Sequence, residues 1–378
     1  MKKILLTTAA FAAIAAVPAK ADEPALQLGV SGYVSGYAVY TTQSGVSNDR
    51  HFDFRKDTEV HLSGEVALDN GITAGAHLEL LADRADGGST VEESYMYLSS
   101  SWGRINFGEE DGVAYLLQVA APSADDKIDG IRPDIGTFGA AVGGTLAYAQ
   151  DPFAYSNKFT YITPVFNGFQ AGFSYAPTVG VVNTPLISFI NDQYFAGALT
   201  LGSNDVSATA PASSNNSADQ FDNGMEIAAR YEGAFENLDL ALGAGYSRAN
   251  LENETASTVF TDDLKEWNVG ANVGFDAFAV GAAYLNSNNG LDDYDTKAWV
   301  VGGDYTTGPY KLGVSYLNGT QEAGAGVHDV DIDRWTAGSI YEWGPGMTFR
   351  GAVQYQVADD GAAKAKGTQV TLGTQLNF

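Results

Sequence analysis

The residues whose types and spacing could do chemistry are carboxylates. Glu109, Glu110 and Asp111 are consecutive. Asp125, Asp126, Asp129, Asp134 and Asp151 follow in the same stretch, whose basic residues are Lys127 and Arg132. Crowded carboxylates attract cations, and Ca2+ takes about 6–8 oxygen ligands. The stretch lacks the Asp-x-Asn/Asp-x-Asn/Asp-Gly series that closes on a bidentate Glu, so the expectation is weakly bound Ca2+ at most and no other cofactor. His51, His61, His77 and His328 are scattered and lack the H-E-x-x-H spacing of a hydrolytic zinc site. There is no G-x-S-x-G elbow, P-loop or dinucleotide fingerprint. With no cysteine, disulfides and Cys-ligated zinc are excluded. An enzyme is not expected.

The composition narrows the setting. The 378 residues carry 46 Asp plus Glu against 20 Lys plus Arg, a net charge of −26. That balance argues against nucleic-acid binding. Charged residues are only 17%, below the roughly 25% of soluble domains. Residues 1–21 read as a secretory signal peptide: Lys2 and Lys3, an apolar run from Ile4 to Val17, and the A-x-A site Ala19-Lys20-Ala21. Cleavage would leave 22–378 as a single domain with 17 basic against 46 acidic residues, a net charge of −29. No later stretch is apolar for long enough to make a transmembrane helix.

What positions the carboxylates is an alternation with period two, the signature of strands. In Met347 to Val357, Met347, Phe349, Gly351, Val353, Tyr355 and Val357 oppose Thr348, Arg350, Ala352, Gln354 and Gln356. Sixteen segments alternate: 28–40, 52–68, 72–84, 91–99, 102–107, 156–163, 169–176, 222–232, 238–248, 264–275, 278–286, 296–306, 310–318, 332–343, 346–357 and 367–378. A further candidate, 142–149, is assigned to a loop because antiparallel closure with both chain ends on one side needs an even number. Short turns such as Asp69-Asn70-Gly71, Asp276-Ala277 and Gly344-Pro345 alternate strictly with longer connections, among them 109–155, 177–221 and 358–366.

One trimmed rim and one rim of long loops is the rhythm of a meander through a membrane. Spanning sheets must close to satisfy their backbones. Sixteen strands enclose an aqueous lumen. Parity in 52–68 turns Phe54, Val60, Leu62, Val66 and Leu68 to lipid. It turns Arg55, Asp57, Glu59, His61, Ser63 and Glu65 inward, a set too charged for a packed core. Tyr37, Tyr40, Trp299, Tyr305, Tyr310, Tyr316, Trp335 and Tyr341 suit aromatic girdles. Inward glycines, among them Gly270, Gly274, Gly281, Gly302 and Gly373, are expected to leave the lumen roomy.

Several segments carry a resemblance. They are Leu28-Gly-Val-Ser-Gly-Tyr33, Trp102-Gly-Arg-Ile-Asn-Phe-Gly108 followed by Glu109-Glu-Asp-Gly112, Asn157-Lys-Phe-Thr-Tyr-Ile-Thr-Pro164, and the terminal Phe378. As an ordered set they resemble the general diffusion porins of Gram-negative outer membranes, in their alphaproteobacterial branch. The resemblance implies an all-β, sixteen-stranded antiparallel transmembrane barrel. It implies that 109–155 is a third loop folded into the lumen, its carboxylates facing basic wall residues across a constriction. The acidic candidates are Glu109, Glu110 and Asp111, then Asp125, Asp126 and Asp129. The basic candidates, inward by parity, are Arg55, Arg104, Lys158, Arg230 and Arg350, with Arg84 near a rim. A homotrimer, contact with outer-membrane lipid and lipopolysaccharide, and recognition of Phe378 by the barrel-assembly machinery are implied too. The function expected is a passive, weakly selective, cation-preferring channel for ions and small hydrophilic solutes. A substrate-selective channel and a non-transporting surface or adhesive barrel stay open as alternatives.

Overall fold

The period-two pattern folds into sixteen strands in a computed structural model that describes residues 26–44, 50–82, 91–136, 138–139, 142–144, 146–179, 220–252, 260–322 and 328–378. The expected signal peptide and Arg84 lie outside the described residues. The strands are β1 (Gln27–Gln43), β2 (Phe52–Ala67), β3 (Thr73–Leu81), β4 (Val91–Ser100), β5 (Gly103–Glu109), β6 (Asn157–Ile162), β7 (Phe169–Val179) and β8 (Phe221–Phe235). They continue as β9 (Leu238–Leu251), β10 (Leu264–Phe275), β11 (Phe278–Ser287), β12 (Thr296–Thr307), β13 (Tyr310–Gln321), β14 (Val330–Gly344), β15 (Met347–Asp359) and β16 (Lys364–Asn377). Each pairs antiparallel with its neighbours in sequence, and β1 pairs with β16 to close the barrel. Among the described residues no sheet edge is left unpaired, as a lipid-embedded sheet requires. At the seam Gly32 and Phe378 exchange two backbone hydrogen bonds of 3.0 Å. The start of β1 and the end of β16 lie on the short-turn side, where Leu28 opposes Gly64 and Leu376 opposes Val34.

The apolar parity face points out. Leu28, Val30, Phe54, Met96, Phe107, Ile227, Val280, Val314 and Leu372 are all exposed there, a continuous apolar surface that only a bilayer covers comfortably. Trp267 stacks against Tyr284, Tyr316 against Trp335, and Tyr310 against Tyr341 across neighbouring strands of this face. Tyr37 corrects the girdle expectation. It belongs to the inner face of β1, is buried, and donates its hydroxyl to Asp125 at 3.1 Å.

One further expectation changes. β15 and β16 run longer than their sequence segments, so the connection expected at 358–366 shrinks to Asp360–Ala363, closed by an Asp360 N–H to Ala363 carbonyl bond. The strict rhythm therefore fails at that one hairpin. Residues 142–149 form no strand in their described part.

Candidate functional site

Among its described residues, the segment between β5 and β6 holds two short α-helical turns, α1 (Val113–Leu116) and α2 (Asp126–Asp129), in mostly irregular backbone. This segment lies against inward-facing wall residues. Ser174 Oγ accepts the Val113 N–H at 2.9 Å. Asn272 Nδ2 donates to the Ala120 carbonyl at 2.7 Å, Gln354 Nε2 to Ile128 at 3.0 Å, Arg334 to Leu146 at 3.0 Å, and Gln356 to Val142 at 2.6 Å. Wall side chains thus satisfy loop carbonyls that have no ladder of their own, as buried backbone demands.

Glycine makes the close approach achievable. A Cβ at Gly270 would strike the Val119 carbonyl, at Gly302 the Pro122 carbonyl, and at Gly313 the Ala124 backbone. Gly243, Gly338 and Gly367 are likewise covered by Val119, Ala124 and Phe138. These glycines do not leave the lumen roomy; they seat the loop. Gly373 is covered by the Tyr37 ring, Gly281 by Asn272 and Gly274 by Asp239.

Two cations close the loop on itself. Arg132 reaches Asp151 at 2.7 Å and Asp111 at 3.1 Å, joining its start to its end. The ammonium of Lys158, on β6, is shared by the carbonyls of Glu110 and Ala154. A third tie runs to the wall. Asp125 caps α2 by accepting the Lys127 N–H at 3.1 Å and pairs with Arg350 of β15 at 2.6 Å.

These contacts sort the expected residues. Asp125, Asp126 and Arg350 come together, with Asp126 3.4 Å from the guanidinium and more than half exposed. Glu110, Asp111, Asp125, Asp129 and Lys158 are nearly wholly buried in anchoring contacts. Glu110 accepts from Asn106 at 2.6 Å, and Asp129 from Ser315 at 2.6 Å. Glu109 separates from its neighbours. It shares the outer face with Phe107 and Asn157, whose side-chain amide it accepts at 3.2 Å. The cause is parity: adjacent strand residues point to opposite faces. Arg230 is held by Glu232 and donates to the Gln118 carbonyl at 3.2 Å. Arg104 lies over the Tyr97 ring at 3.9 Å and donates to Asn106. Arg55 faces inward, half-exposed, 3.5 Å from Asp53.

The loop packs along the inner faces of β6 to β16 and covers those of β2 to β5 less, touching them at Asp57, Glu92, Glu93 and Asn106. That bare wall carries Asp57, Glu59 and Glu65 on β2, Glu79 on β3, and Glu92 and Glu93 on β4. Glu92 accepts from Tyr155 at 3.0 Å, and Glu93 accepts the Asp111 N–H at 3.1 Å. Facing it from α2, Lys127 Nζ lies 2.7 Å from Asp57, 3.0 Å from Asp134 and 2.6 Å from the Tyr33 hydroxyl. Burial works against the Lys127 charge, but Asp134, Asp57 and Glu59 outweigh it and push its pKa up. At this contact the acids stand on the wall and the ammonium on the loop, whereas Asp125 and Asp126 with Arg350 keep the sense that the resemblance implies.

Asp57, Glu59, His61 and Glu65 of this wall read as inward in the sequence, while the histidines read as scattered. The signal was present. His61 and Glu79 are equidistant from Asn70 in the first short turn, and so become direct cross-strand partners. His77 stands opposite Ser63 on the same face.

The sequence matches the Gram-negative porin family over residues 7–361. No curated protein sequence matches it. Among solved structures it is similar to an anion-selective porin from Comamonas acidovorans (16% identity, TM-score 0.59, covering 94% of this chain and 100% of that one). It is also similar to in-vitro folded OmpT of Vibrio cholerae in its trimer form (15%, 0.57, 94% and 100%). A variant of the porin of Rh. blastica is similar as well (16%, 0.55, 93% and 100%).

Proposed function

The chain belongs to the Gram-negative porins, outer-membrane channels crossed by diffusion, and we propose that its pore passes ions and small hydrophilic solutes with weak selectivity and a preference for cations. The 110–156 segment narrows the lumen, and the passage runs between it and the bare wall of β2 to β5. The observation that carries the sign is that wall's set of six carboxylates, Asp57, Glu59, Glu65, Glu79, Glu92 and Glu93, against Arg55, Arg104 and Lys127. Charge on outer loops is screened within about 8 Å at physiological ionic strength. Charge lining a constriction acts on the ion directly. The fold alone does not fix the sign, since the similar Comamonas acidovorans protein is described as anion-selective. Divalent ions, Ca2+ included, collect weakly in such a field, and the transport step needs no cofactor.

The test is the reversal potential across a planar bilayer under a salt gradient. Replacing Glu59, Glu79 and Glu92 by Gln should lower cation preference, even at high salt. Replacing Glu109 and Glu110 by Gln and Asp111 by Asn should lower it less, because Glu109 faces outward and the other two are buried. Anion preference in the wild type would overturn the reading. The Vibrio cholerae neighbour is described in a trimer form, and a homotrimer in lipid and lipopolysaccharide is proposed here; a cross-linking ladder ending at monomer would refute it. Phe378, locked to Gly32 at the seam, is proposed as the residue that the assembly machinery reads. Truncating it should slow insertion without altering the conductance of barrels that do form.

A further inference from the structure

We infer that the bare wall holds a transition-metal site built from His61 Nε2, His77 Nε2 and the Glu79 carboxylate, with Glu59 as a fourth donor. These residues lie on β2 and β3, and the ring and carboxylate atoms of His61, His77 and Glu79 converge on the lumen face. For His61, His77 and Glu79, the ligand atoms all fall within 4.8 Å of one another. Glu79 Oε1 lies 3.8 Å from His61 Nε2, and its Oε2 lies 3.7 Å from His77 Nε2. Those separations are too long for hydrogen bonds. Four ligands set about 2.0–2.1 Å from a tetrahedral Zn2+ lie about 3.4 Å apart, so the side chains must rotate inward, from separations of up to 4.8 Å, to close the set. Glu59 is already 3.3 Å from His61 Nε2. A second group, Glu59, Glu79 and Glu92, shares two of these carboxylates and adds a third beside them. The two imidazole rings meet edge to face with centroids 5.6 Å apart, and the Tyr95 ring backs His77 at 5.3 Å.

The imidazoles separate this site from the acidic field around it. A field of carboxylates treats ions of equal charge much alike. Two imidazole nitrogens favour Zn2+, Cu2+ or Ni2+ over Mg2+ and Ca2+, which prefer oxygen. Both histidine side chains are about one quarter exposed or less, open to the lumen yet held in place by their neighbours. A bound divalent cation here adds positive charge to the wall opposite Lys127. It should therefore oppose cation flow as well as narrow the opening.

The binding claim stands apart from the channel reading, while current block rests on it, so the test has two arms. The first is calorimetric titration of the detergent-solubilised full chain with ZnCl2 and with MgCl2. Zn2+ should bind more tightly than Mg2+. The His61→Gln/His77→Gln double variant should lose at least about 10–100-fold in Zn2+ affinity, the scale on which even outer-shell partners count, with its Mg2+ binding unmoved. The second arm is the fractional block of KCl current by Zn2+, each channel referred to its own metal-free current. Block should be relieved by EDTA and nearly absent in the double variant. Equal Zn2+ affinity in wild type and double variant, or Zn2+ no better than Mg2+, overturns the site. Binding without block supports the site and counts instead against a conduction path past β2 and β3.

Discussion

Lys127→Met should make the pore more cation-selective. The side chain keeps its length and loses its charge, and Asp57, Asp134 and Glu59 are left without the ammonium that now offsets them. A unit charge about 6 Å from a passing ion contributes about 0.7 kcal/mol in a water-like dielectric. That is about threefold in local occupancy, since each 1.4 kcal/mol is about tenfold. Cations gain and anions lose by the same factor, so the cation-to-anion permeability ratio should rise by about tenfold at low salt. At 0.1 M, where the screening length is about 10 Å, the gain should shrink to a few-fold. The assay is the KCl reversal potential at two mean concentrations, with Lys127→Arg as the charge-keeping control. Adding Asp57→Asn to Lys127→Met should return the ratio toward wild type. Alkali should not mimic the substitution: the folded pKa is raised, so the charge persists at the ordinary lysine value of 10.5 and is lost only as pH climbs through the higher folded value. An assembled Lys127→Met channel with unchanged or lower cation preference would refute the reasoning, because the ammonium would then not face the ion path.

Arg350→Met should leave Asp125 buried and uncompensated, a cost of about 3–5 kcal/mol for a broken buried pair; faster amide exchange over 110–136 and a noisier open-channel current would report it. Gly270→Ala should press against the Val119 carbonyl and push the loop into the lumen, lowering single-channel conductance, whereas Gly36→Ala, whose Cβ meets nothing, should not change it. Deleting Ala114 to Ala124 should raise conductance and admit larger neutral sugars in a liposome swelling assay; unchanged values in an assembled barrel would show that this stretch does not limit the passage.

Strands were legible because parity is local. Every inward or outward assignment along Phe52 to Leu68 follows from the alternation itself, and the turn at Asp69-Asn70-Gly71 fixes its partner. The closed sixteen-stranded architecture followed from counting such units. Irregular backbone carries no period, so the path of 110–156 was not legible. Whether Gly270 widens a lumen or receives a carbonyl depends on what lies opposite. The bias toward Glu109, Glu110 and Asp111 came from their place in sequence, yet the end of β5 turns Glu109 outward and folds the next two into anchoring contacts. The opposing wall was half legible: Asp57, Glu59 and His61 read as inward, but their meeting with Glu79 and His77 needed the register to be followed through the turn.

Asp125 has a mechanical consequence beyond selectivity. It accepts from Tyr37 on β1 and pairs with Arg350 on β15, reaching both flanks of β16. β16 is the strand that meets β1 to close the cylinder. In a hydrogen-bonded cylinder that junction is the one place where unzipping needs no break in a covalent hairpin. A side chain from the middle of the sequence fastens it from inside, like a clasp laid across a hem. Lateral opening of the cylinder must therefore first pull the clasp free, so resistance to rupture at the junction and the seating of the inner loop should rise and fall together.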